Sequence, residues 1–352
     1  MSAAATVHTV QGRPIGGDHP CFVIAEACDN HMGDTDDAIE MARQAKLAGA
    51  DAVKYQHHLP DEEMLPDIPM SDNFEQPLYE FLKNHALTLD QHRTIKRFCD
   101  EIGIIYMCTP FSWAAAQELE QAFDLPLFKT GSGEMTDVPT LVRIAGFGKL
   151  MVVSTGMSRF DEIDRTYDAL TARGAKLALL NCVSEYPPVY EDMNLGVIPQ
   201  MIARYPEAVI GHSDHAPTLE TSFAAVTLGA KIVEKHVILD KRTPGPDQSV
   251  SIDFRDLAAL VDGIRRIEAS LGDEKRVHPR EEQIRTWAFR SLVTTCEVAA
   301  GAALTDDMVW SKRPGTGIPA WQMDKVVGRR TTRAIGRNEL LDWSDIEGGE
   351  PG

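Results

Sequence analysis

The chain lacks the features that mark several classes of protein. It has no apolar run near the roughly 18 residues that a membrane span needs, and its start, Met1-Ser-Ala-Ala-Ala-Thr-Val, has neither the basic nor the apolar region of a secretory signal. Basic residues are scarce, since 35 Lys and Arg face 53 Asp and Glu, and the formal charge is −18. Nucleic-acid binding needs a basic surface. We therefore expect a protein that binds neither membranes nor nucleic acids.

Closely spaced cysteine pairs are also absent. None of the six cysteines forms a CxxC motif, and most lie in segments with the pattern of a strand or a helix. A thiol in such a segment is usually a small apolar core residue. A reduced, cytoplasmic setting is the expectation. The cysteines are Cys21, Cys28, Cys99, Cys108, Cys182 and Cys296.

Eight short β-rich apolar runs alternate with eight amphipathic stretches between Cys21 and Gly272. Eight β-then-α units in about 250 residues predict a (β/α)₈ (TIM) barrel of the α/β class. A doubly wound open sheet would use fewer strands and a Gly-rich first turn, and no GxGxxG follows the first run. We expect a hairpin over Val7–Pro14 to plug one end of the barrel. The apolar runs are Cys21–Ala27, Ala52–Gln56, Ile104–Thr109, Leu127–Gly131, Leu150–Thr155, Lys176–Cys182, Ala208–Ser213 and Ile232–Val237.

The pattern changes after this region. Asp273–Arg285 is a charged stretch typical of a solvated linker. Short strand patterns and Gly/Pro turns without a long helix follow over Arg290–Glu347, and they predict a small β-rich domain. The predicted organisation is a barrel domain over 1–275, a linker over 276–289 and the β-rich domain over 290–352. Within the barrel, His57–Asn84 is predicted to be an extended loop after the second strand.

Polar residues end all eight predicted strands. Active sites of such barrels lie at the carboxyl ends of the strands. Buried polar groups without partners cost several kcal/mol each, by order of magnitude, so this recurrence is hard to explain by packing alone. The sequence therefore predicts a site at this end of the barrel. The residues are Glu26, Lys54, Gln56, Thr109, Lys129, Ser132, Glu134, Ser154, Asn181, Ser184, Tyr186, Ser213, Asp214, His215, Glu234, Lys235 and His236.

Two lysines and several hydroxyls among these residues suit an anionic phosphate or carboxylate. Structural ion pairs of Lys54 and Lys129 with nearby glutamates are the alternative. His215 and His236, on adjacent strands, could bind one divalent metal or could be ordinary hydrogen-bonded histidines. Asp247, on the Pro-rich loop after the eighth strand, could accept hydrogen bonds from a hydroxyl-rich ligand or cap a turn.

Two further histidines, His57 and His58, open the long loop. They could border the site or be exposed. His212 lies one step from Ser213 along the seventh strand and should face away from the site.

Several strings in the chain resemble the sialic acid synthase family. The resemblance runs in order from about Cys21 to Glu347, and its last part is similar to the family's carboxy-terminal antifreeze-like (SAF, β-clip) domain. It implies a (β/α)₈ barrel that condenses phosphoenolpyruvate with an N-acylated aminosugar, such as N-acetylmannosamine, to give a nine-carbon 2-keto sugar acid and phosphate. The strings are IAEACDNHMGD, GADAVKYQ, CTPFS, FKTGSGE, VVSTGM, NCVSEYPPVYEDMNL, GHSDH, GAKIVEKHVILDK, PGPDQSVS and RSLVTTCEVAAGAALTDDMVWSKRPGTGI.

The resemblance also implies roles for individual residues. Glu26 and Glu134 match acidic residues near the reacting carbons, and either could act on the attacking water. His215 and His236 match the ligands of a divalent ion, Mn²⁺ by preference, with Mg²⁺ or Co²⁺ as options. The phosphoenolpyruvate pocket is implied for Lys54, Thr109, Lys129, Ser132, Ser154, Ser184 and Ser213. Contact with the acceptor sugar is implied for Gln56, Tyr186, Asp247 and Arg313. The resemblance further implies a domain-swapped homodimer, in which the antifreeze-like domain of one subunit completes the active site of the other. Arg313 would then reach the partner's site.

The chain departs from the family pattern at two places. Ala27-Cys28-Asp29 stands where family members more often have Ile-Gly-Ile or Ile-Gly-Gln, and Ser184 stands where some have Asn. Two sugars therefore remain candidates for the acceptor. One is N-acetylmannosamine, and the other is a 2,4-diacetamido-trideoxyhexose, the precursor of legionaminic or pseudaminic acid.

Three other activities compete with this reading. One is a synthase that uses phosphoenolpyruvate and a phosphorylated aldose. Another is a Schiff-base aldolase in which Lys54 or Lys129 is the nucleophile. The third is a non-catalytic carbohydrate- or ice-binding protein that uses its antifreeze-like domain. The intact ring of polar strand ends argues against that last alternative.

Overall fold

The computed structural model describes residues 6–69 and 76–351. The chain divides between Gly272 and Asp273 into two compact units. The first is an α/β barrel, as predicted, and the second is a small β-rich unit. The segment predicted as a linker, 276–289, falls within the second unit.

An antiparallel hairpin closes the amino-terminal end of the barrel, as predicted. Strand β1 (Val7–Val10) pairs with β2 (Arg13–Gly16). The two-residue turn is formed by Gln11 and Gly12, both with positive φ, at 45° and 81°. Such turns match the twist of the strands they join. Ile15 is fully buried among the inward-facing side chains at the start of the barrel strands.

Eight parallel strands form the barrel sheet in the order β5-β4-β3-β10-β9-β8-β7-β6, and the two outer strands, β5 and β6, lie beside each other. The apolar runs predicted all eight strands with small differences at the ends. The strands are β3 (Phe22–Glu26), β4 (Ala52–His57), β5 (Ile105–Pro110), β6 (Leu127–Thr130), β7 (Leu150–Ser154), β8 (Lys176–Cys182), β9 (Ala208–Asp214) and β10 (Ile232–His236).

The barrel helices pack their apolar faces onto the outside of this sheet. Helix α4 shows how the sequence sets their ends. Thr88 and Gln91 form a capping box at its start, and Gly103, with φ of 70°, ends it. The helices are α1 (Thr35–Leu47), α2 (Pro60–Glu63), α3 (Leu78–His85), α4 (Leu89–Ile102), α5 (Trp113–Phe123), α6 (Val138–Ala145), α7 (Phe160–Thr171), α8 (Val197–Arg204), α9 (Glu220–Thr227) and α10 (Phe254–Ser270).

The predicted extended loop at 57–84 is wrong in part, because the segment contains α2 and α3. Tyr79, Phe81 and Leu82 of α3 are buried, so a short apolar stripe holds this helix against the barrel. Proline at the first position of α2 suits a helix start, because its missing N–H has no partner there. The central part of the predicted loop, 70–75, lies outside the described residues.

The second unit has its own apolar core and little regular structure. Strands β11 (Ser291–Thr294) and β12 (Val309–Lys312) are antiparallel, and further isolated bridges join the surrounding turns. A short exposed helix, α11 (Glu282–Ala288), precedes them, inside the segment predicted as a linker. Across the described part of the chain, no helix is long and apolar enough to cross a membrane.

Candidate active site

A cavity of about 390 Å³ lies at the carboxyl ends of the barrel strands. It collects 14 of the 15 residues predicted for the site, and Arg313, in the second unit, is the exception. The barrel therefore brings together 14 of the 17 strand-end polar residues that the sequence predicted, and Asn181, Asp214 and Lys235 do not line the cavity. The predicted site residues that line the cavity are Glu26, Lys54, Gln56, Thr109, Lys129, Ser132, Glu134, Ser154, Ser184, Tyr186, Ser213, His215, His236 and Asp247.

The floor of the cavity holds a buried network of lysines and glutamates. Lys54 Nζ lies 3.1 Å from Glu26 Oε2 and 3.3 Å from Glu234 Oε1. Lys129 Nζ lies 3.6 Å from the same Glu234 oxygen. Ser213 Oγ donates a hydrogen bond of 3.0 Å to it. The sequence placed Glu234 among the strand-end polar residues but assigned it no role, although it is the group that both lysines share.

Charge interactions decide the protonation of this network. Burial would raise the pKa of Glu234, but Lys129 and Lys54 lower it below its ordinary value. Burial would lower the pKa of Lys54, but Glu234 and Glu26 raise it. For Lys129, burial dominates and lowers the pKa. Burial raises the pKa of Glu26 to about 7 against the effect of Lys54. The network thus holds an ionised Glu234 beside a cationic Lys54.

Hydroxyl and amide groups surround Lys129 on the other side. Its Nζ donates to Ser154 Oγ at 2.7 Å and to the Thr130 carbonyl at 2.9 Å. The N–H of Gly156 donates to Ser132 Oγ at 3.1 Å. A Cβ atom at residue 156 would lie 2.6 Å from that oxygen, so the close approach needs glycine. Ammonium, hydroxyl and backbone N–H groups together suit a phosphate or a carboxylate.

Glu134 differs from Glu26 and Glu234, because no lysine among the described residues forms an ion pair with it. Its Oε2 is buried and has no hydrogen-bond partner among the described residues. Burial raises its pKa above the ordinary value. An unpaired carboxyl group that faces a cavity and has a raised pKa is suited to general acid–base chemistry.

The two predicted metal ligands stand next to each other. The rings of His215 and His236 are 5.0 Å apart, and the ring of Tyr186 is 4.4 Å from that of His215. His215 Nδ1 contacts the Val183 carbonyl oxygen at 3.0 Å, which orients the ring. Burial lowers the pKa of His215 to about 4 and that of His236 well below its ordinary range. Both histidines are therefore neutral at pH 7, as metal ligands must be.

A three-residue group offers a further set of metal-binding atoms. Within 6–69 and 76–351, ligand atoms of Cys28, His236 and Asp247 all lie within 4.8 Å of one another. Burial raises the pKa of Asp247 to about 6. The cavity is lined by six carboxyl groups and two ammonium groups in all. A divalent cation fits this donor set and offsets its excess of negative charge.

His58 and Glu63, which the sequence did not place in the site, form one wall. His58 contacts Glu63 Oε2 at 2.8 Å and Gln56 Oε1 at 3.0 Å, and its ring stacks on Phe111 at 4.3 Å. Burial would lower the pKa of His58, but Glu63 and Asp29 raise it. The sequence left His58 open between bordering the site and being exposed, and it lines the cavity. No motif pointed to Glu63, because it lies in the segment predicted as a loop.

The remaining candidates lie outside the cavity. His57 is buried and pairs with Glu118 at 2.9 Å. His212 is fully buried and contacts the Asn181 carbonyl oxygen at 2.9 Å, which confirms that it faces away from the site. Arg313 is exposed in the second unit, where its Nε donates to the Ala288 carbonyl at 3.1 Å.

Comparisons with known proteins agree with this architecture. The NeuB family model matches residues 41–276, and the SAF domain model matches 289–347. The chain is 34% identical to human N-acetylneuraminate-9-phosphate synthase over 94% of each chain. It is 32% identical to N,N'-diacetyllegionaminic acid synthase of Legionella pneumophila, over 95% of this chain and 97% of that one. The crystal structure of the N-acetylneuraminic acid synthetase from Leptospira borgpetersenii, in complex with citrate, superposes with a TM-score of 0.74 at 28% identity, covering 81% of this chain and 96% of the other.

Proposed function

Because this chain belongs to the NeuB family, we propose that it condenses phosphoenolpyruvate with an N-acylated aminosugar to give a nine-carbon 2-keto sugar acid and phosphate. The observation that carries the proposal is the anion-binding half of the cavity. There two buried lysines, Lys54 and Lys129, stand among hydroxyls beside an unpaired carboxyl group, Glu134. Binding and orienting both reactants in one cavity supplies a large part of such catalysis.

The acceptor is an unphosphorylated sugar in this proposal. The cavity carries six carboxyl groups, and its two cationic side chains, Lys54 and Lys129, are needed for phosphoenolpyruvate. A second phosphate on the acceptor would meet no further lysine or arginine among the described residues that line the cavity. N-Acetylmannosamine and 2,4-diacetamido-trideoxyhexoses both meet this condition, and the latter would give legionaminic or pseudaminic acid. Gln56 and Tyr186 also line the cavity and would contact the sugar.

The chemistry follows from these positions. Lys54 and Lys129 hold the phosphate and carboxylate of phosphoenolpyruvate while its C3 forms a bond to the aldehyde carbon of the open-chain sugar. Positive charge then develops at C2, and Glu134 accepts a proton from the water that attacks it. Glu26, held by Lys54 and Gln56, would stabilise that charge through its carboxylate. The aldehyde oxygen takes up a proton and becomes a hydroxyl. The C2–O bond to phosphate breaks as the new C2 hydroxyl loses its proton and becomes the keto oxygen, and Lys129 with its hydroxyl neighbours holds the leaving phosphate.

A divalent ion, Mn²⁺ by preference, completes the proposal. His215 and His236 would hold it, and it supplies Lewis-acid polarisation of the aldehyde oxygen. The second unit of another copy would complete the site, with Arg313 contacting the N-acyl group, in a domain-swapped homodimer. This part rests on the family resemblance described from the sequence.

The test is product analysis with a panel of sugars. The protein is incubated with phosphoenolpyruvate, Mn²⁺ and each candidate sugar, free or phosphorylated, and products are identified by mass spectrometry. The proposal expects a three-carbon extension of an N-acylated sugar with one phosphate released per product, and Lys129→Met should abolish it. Condensation of pyruvate with trapping by borohydride would support the Schiff-base aldolase instead. Extension of phosphorylated sugars alone would contradict the acceptor assignment.

A further inference from the structure

We propose that Cys28 is a metal ligand of this site, together with His236 and Asp247, so that the ligands of the ion include a thiolate and a carboxylate beside the imidazole groups. The inference rests on the proposed function in that it concerns the same cavity. It adds a soft sulfur ligand that the pair of histidines would not supply. It therefore makes the site selective for borderline-soft transition ions such as Co²⁺ and Zn²⁺ over Mg²⁺.

The geometry carries the assignment. Ligand atoms of the three residues lie within 4.8 Å of one another, as those around one ion must. His236 supplies an independent observation, since its side chain is 5% exposed and its Nδ1 is buried without a hydrogen-bond partner among the described residues. A buried polar atom of this kind calls for a partner that the chain itself does not provide.

The position of Cys28 is unusual for any residue other than glycine. Its φ is 42°, in the left-handed region that L-residues with a Cβ atom rarely adopt. The family that the sequence resembles more often has glycine at this position. This chain instead has a thiol there, which is fully buried and lies near His236 and Asp247, two residues that line the cavity. A strained side chain at a functional site is the pattern expected of a residue retained for its chemistry.

The three ligands are carried by segments that Asn30 ties together. Asn30 Nδ2 donates to the Val237 carbonyl at 2.8 Å and to Ser251 Oγ at 2.9 Å. Ser251 Oγ in turn donates to the Asp247 carbonyl at 2.7 Å. The turn after β3, the end of β10 and the loop of Asp247 are thereby fixed to one another. A site held by such a framework is preorganised for an ion rather than assembled around it.

Coordination by a thiolate has consequences for proton release and for the preferred metal ion. The ion bonds to the sulfur of Cys28, and the thiol proton is released to solvent. One carboxylate oxygen of Asp247 is used, which leaves the other for a sugar hydroxyl. Sulfur ligation should raise the affinity for Co²⁺ and Zn²⁺ much more than that for Mg²⁺.

Cobalt binding tests the proposal without any measurement of turnover. Metal-free protein is titrated with Co²⁺ while the ion bound per chain is measured by equilibrium dialysis. We expect one ion per chain and a near-ultraviolet thiolate-to-cobalt charge-transfer absorption that saturates with it. Cys28→Ser and Cys28→Gly should both lose the absorption and weaken Co²⁺ binding by at least about tenfold. The glycine variant suits the backbone at φ 42°, so misfolding should not obscure its result.

The matched control is Cys182→Ser, because Cys182 lines the cavity but lies outside the ligand set. It should keep the absorption. One bound Co²⁺ without charge-transfer absorption in the wild-type chain, or absorption that persists in Cys28→Gly, would overturn the proposal. Absence of phosphoenolpyruvate-dependent phosphate release with the absorption present would count against the proposed function alone. Phosphate release without the absorption would count against the sulfur ligand alone.

Discussion

At the scale of single residues, Glu234 is the group on which the cavity floor depends. It is 3% exposed, and its carboxylate faces the ammonium groups of Lys54 and Lys129. Two buried lysines so close together repel each other. Removing the shared carboxylate leaves Lys129 without its ion-pair partner and leaves Lys54 with Glu26 alone. The glutamate therefore stabilises the site. We expect bound phosphoenolpyruvate to add negative charge that further compensates the same two lysines.

Glu234→Gln is expected to lower the free energy of unfolding by about 3–5 kcal/mol, the usual effect of breaking a buried ion pair. Urea denaturation measures the change. The matched control is Asp256→Asn, which breaks an exposed pair with Lys241 at 2.9 Å and should cost less than about 1 kcal/mol. Equal effects of the two substitutions would show that the buried network contributes little.

Glu134→Gln is expected to remove a pH dependence from stability. Burial raises the pKa of Glu134 above its ordinary value of 4.5, so the folded chain binds this proton more tightly than the unfolded chain. Relative to the Gln variant, the wild-type free energy of unfolding should fall as the pH rises from 4.5 through the raised pKa. The slope is at most about 1.4 kcal/mol per pH unit.

Denaturation series at several pH values compare the two chains. The exposed Glu101→Gln substitution is the control and should show no such trend. A difference between wild type and Glu134→Gln that stays flat, or that grows in favour of wild type with rising pH, would contradict the assignment.

The sequence predicted well which residues belong to the site where those residues lie at the ends of strands. At the carboxyl end of a parallel barrel strand every second side chain points toward the cavity, so Lys54, Thr109 and His236 could be placed from the sequence. Which side chains contact each other within the site could not be predicted in this way. Whether Lys129 contacts Glu234 or Glu134 depends on side-chain distances of a few ångströms, which the order of the strands does not determine.

At the scale of elements, the strands and most helices were predicted because each is long enough to show its period. The helix α3 was missed because its apolar stripe spans only two turns and follows a stretch rich in Pro and Asp. Because helices α2 and α3 were missed, part of the cavity lining was not predicted: Leu78 and Leu82 of α3 and Glu63 of α2 line the cavity. Short elements whose burial depends on a distant partner are those that local pattern predicts least well.

The β1–β2 hairpin offers a test at this scale. Ile15 is fully buried and packs with Val10 against the first layer of barrel side chains. Ile15→Ala should lower the free energy of unfolding by about 2–5 kcal/mol, because it leaves a cavity under the plug. Val7→Ala, at a position 43% exposed in the same hairpin, should change it by less than about 0.5 kcal/mol. Thermal or urea unfolding of both variants makes the comparison, and similar values would show that the hairpin is not part of the barrel core.

At the scale of the whole molecule, the formal charge of −18 does not describe the field in the cavity. Lys54 and Lys129 lie within a few ångströms of where an anion would bind, whereas most acidic residues lie on the solvated outer surface, where water and salt screen them. The six cavity carboxyl groups are the part of this charge that acts locally, and they favour a cation as the third component beside the two substrates.

Complementation between inactive chains tests the proposed domain swap. Arg313→Ala keeps an intact barrel, and Lys129→Met keeps an intact second unit. If the second unit completes the partner's site, mixed dimers contain one intact site, and random mixing should recover about a quarter of wild-type activity. Each variant alone should stay inactive. If each chain completes its own site, the mixture should recover no activity after the subunits have been exchanged.

The proposed condensation is tested most directly by following the bridging oxygen of phosphoenolpyruvate. The protein is given phosphoenolpyruvate labelled with ¹⁸O at the C–O–P oxygen, together with Mn²⁺ and the sugar that it extends. We expect equal amounts of nine-carbon acid and phosphate, with the label in the phosphate, because the C2–O bond breaks. Sugar extension without phosphate release, or phosphate that lacks the label, would contradict it.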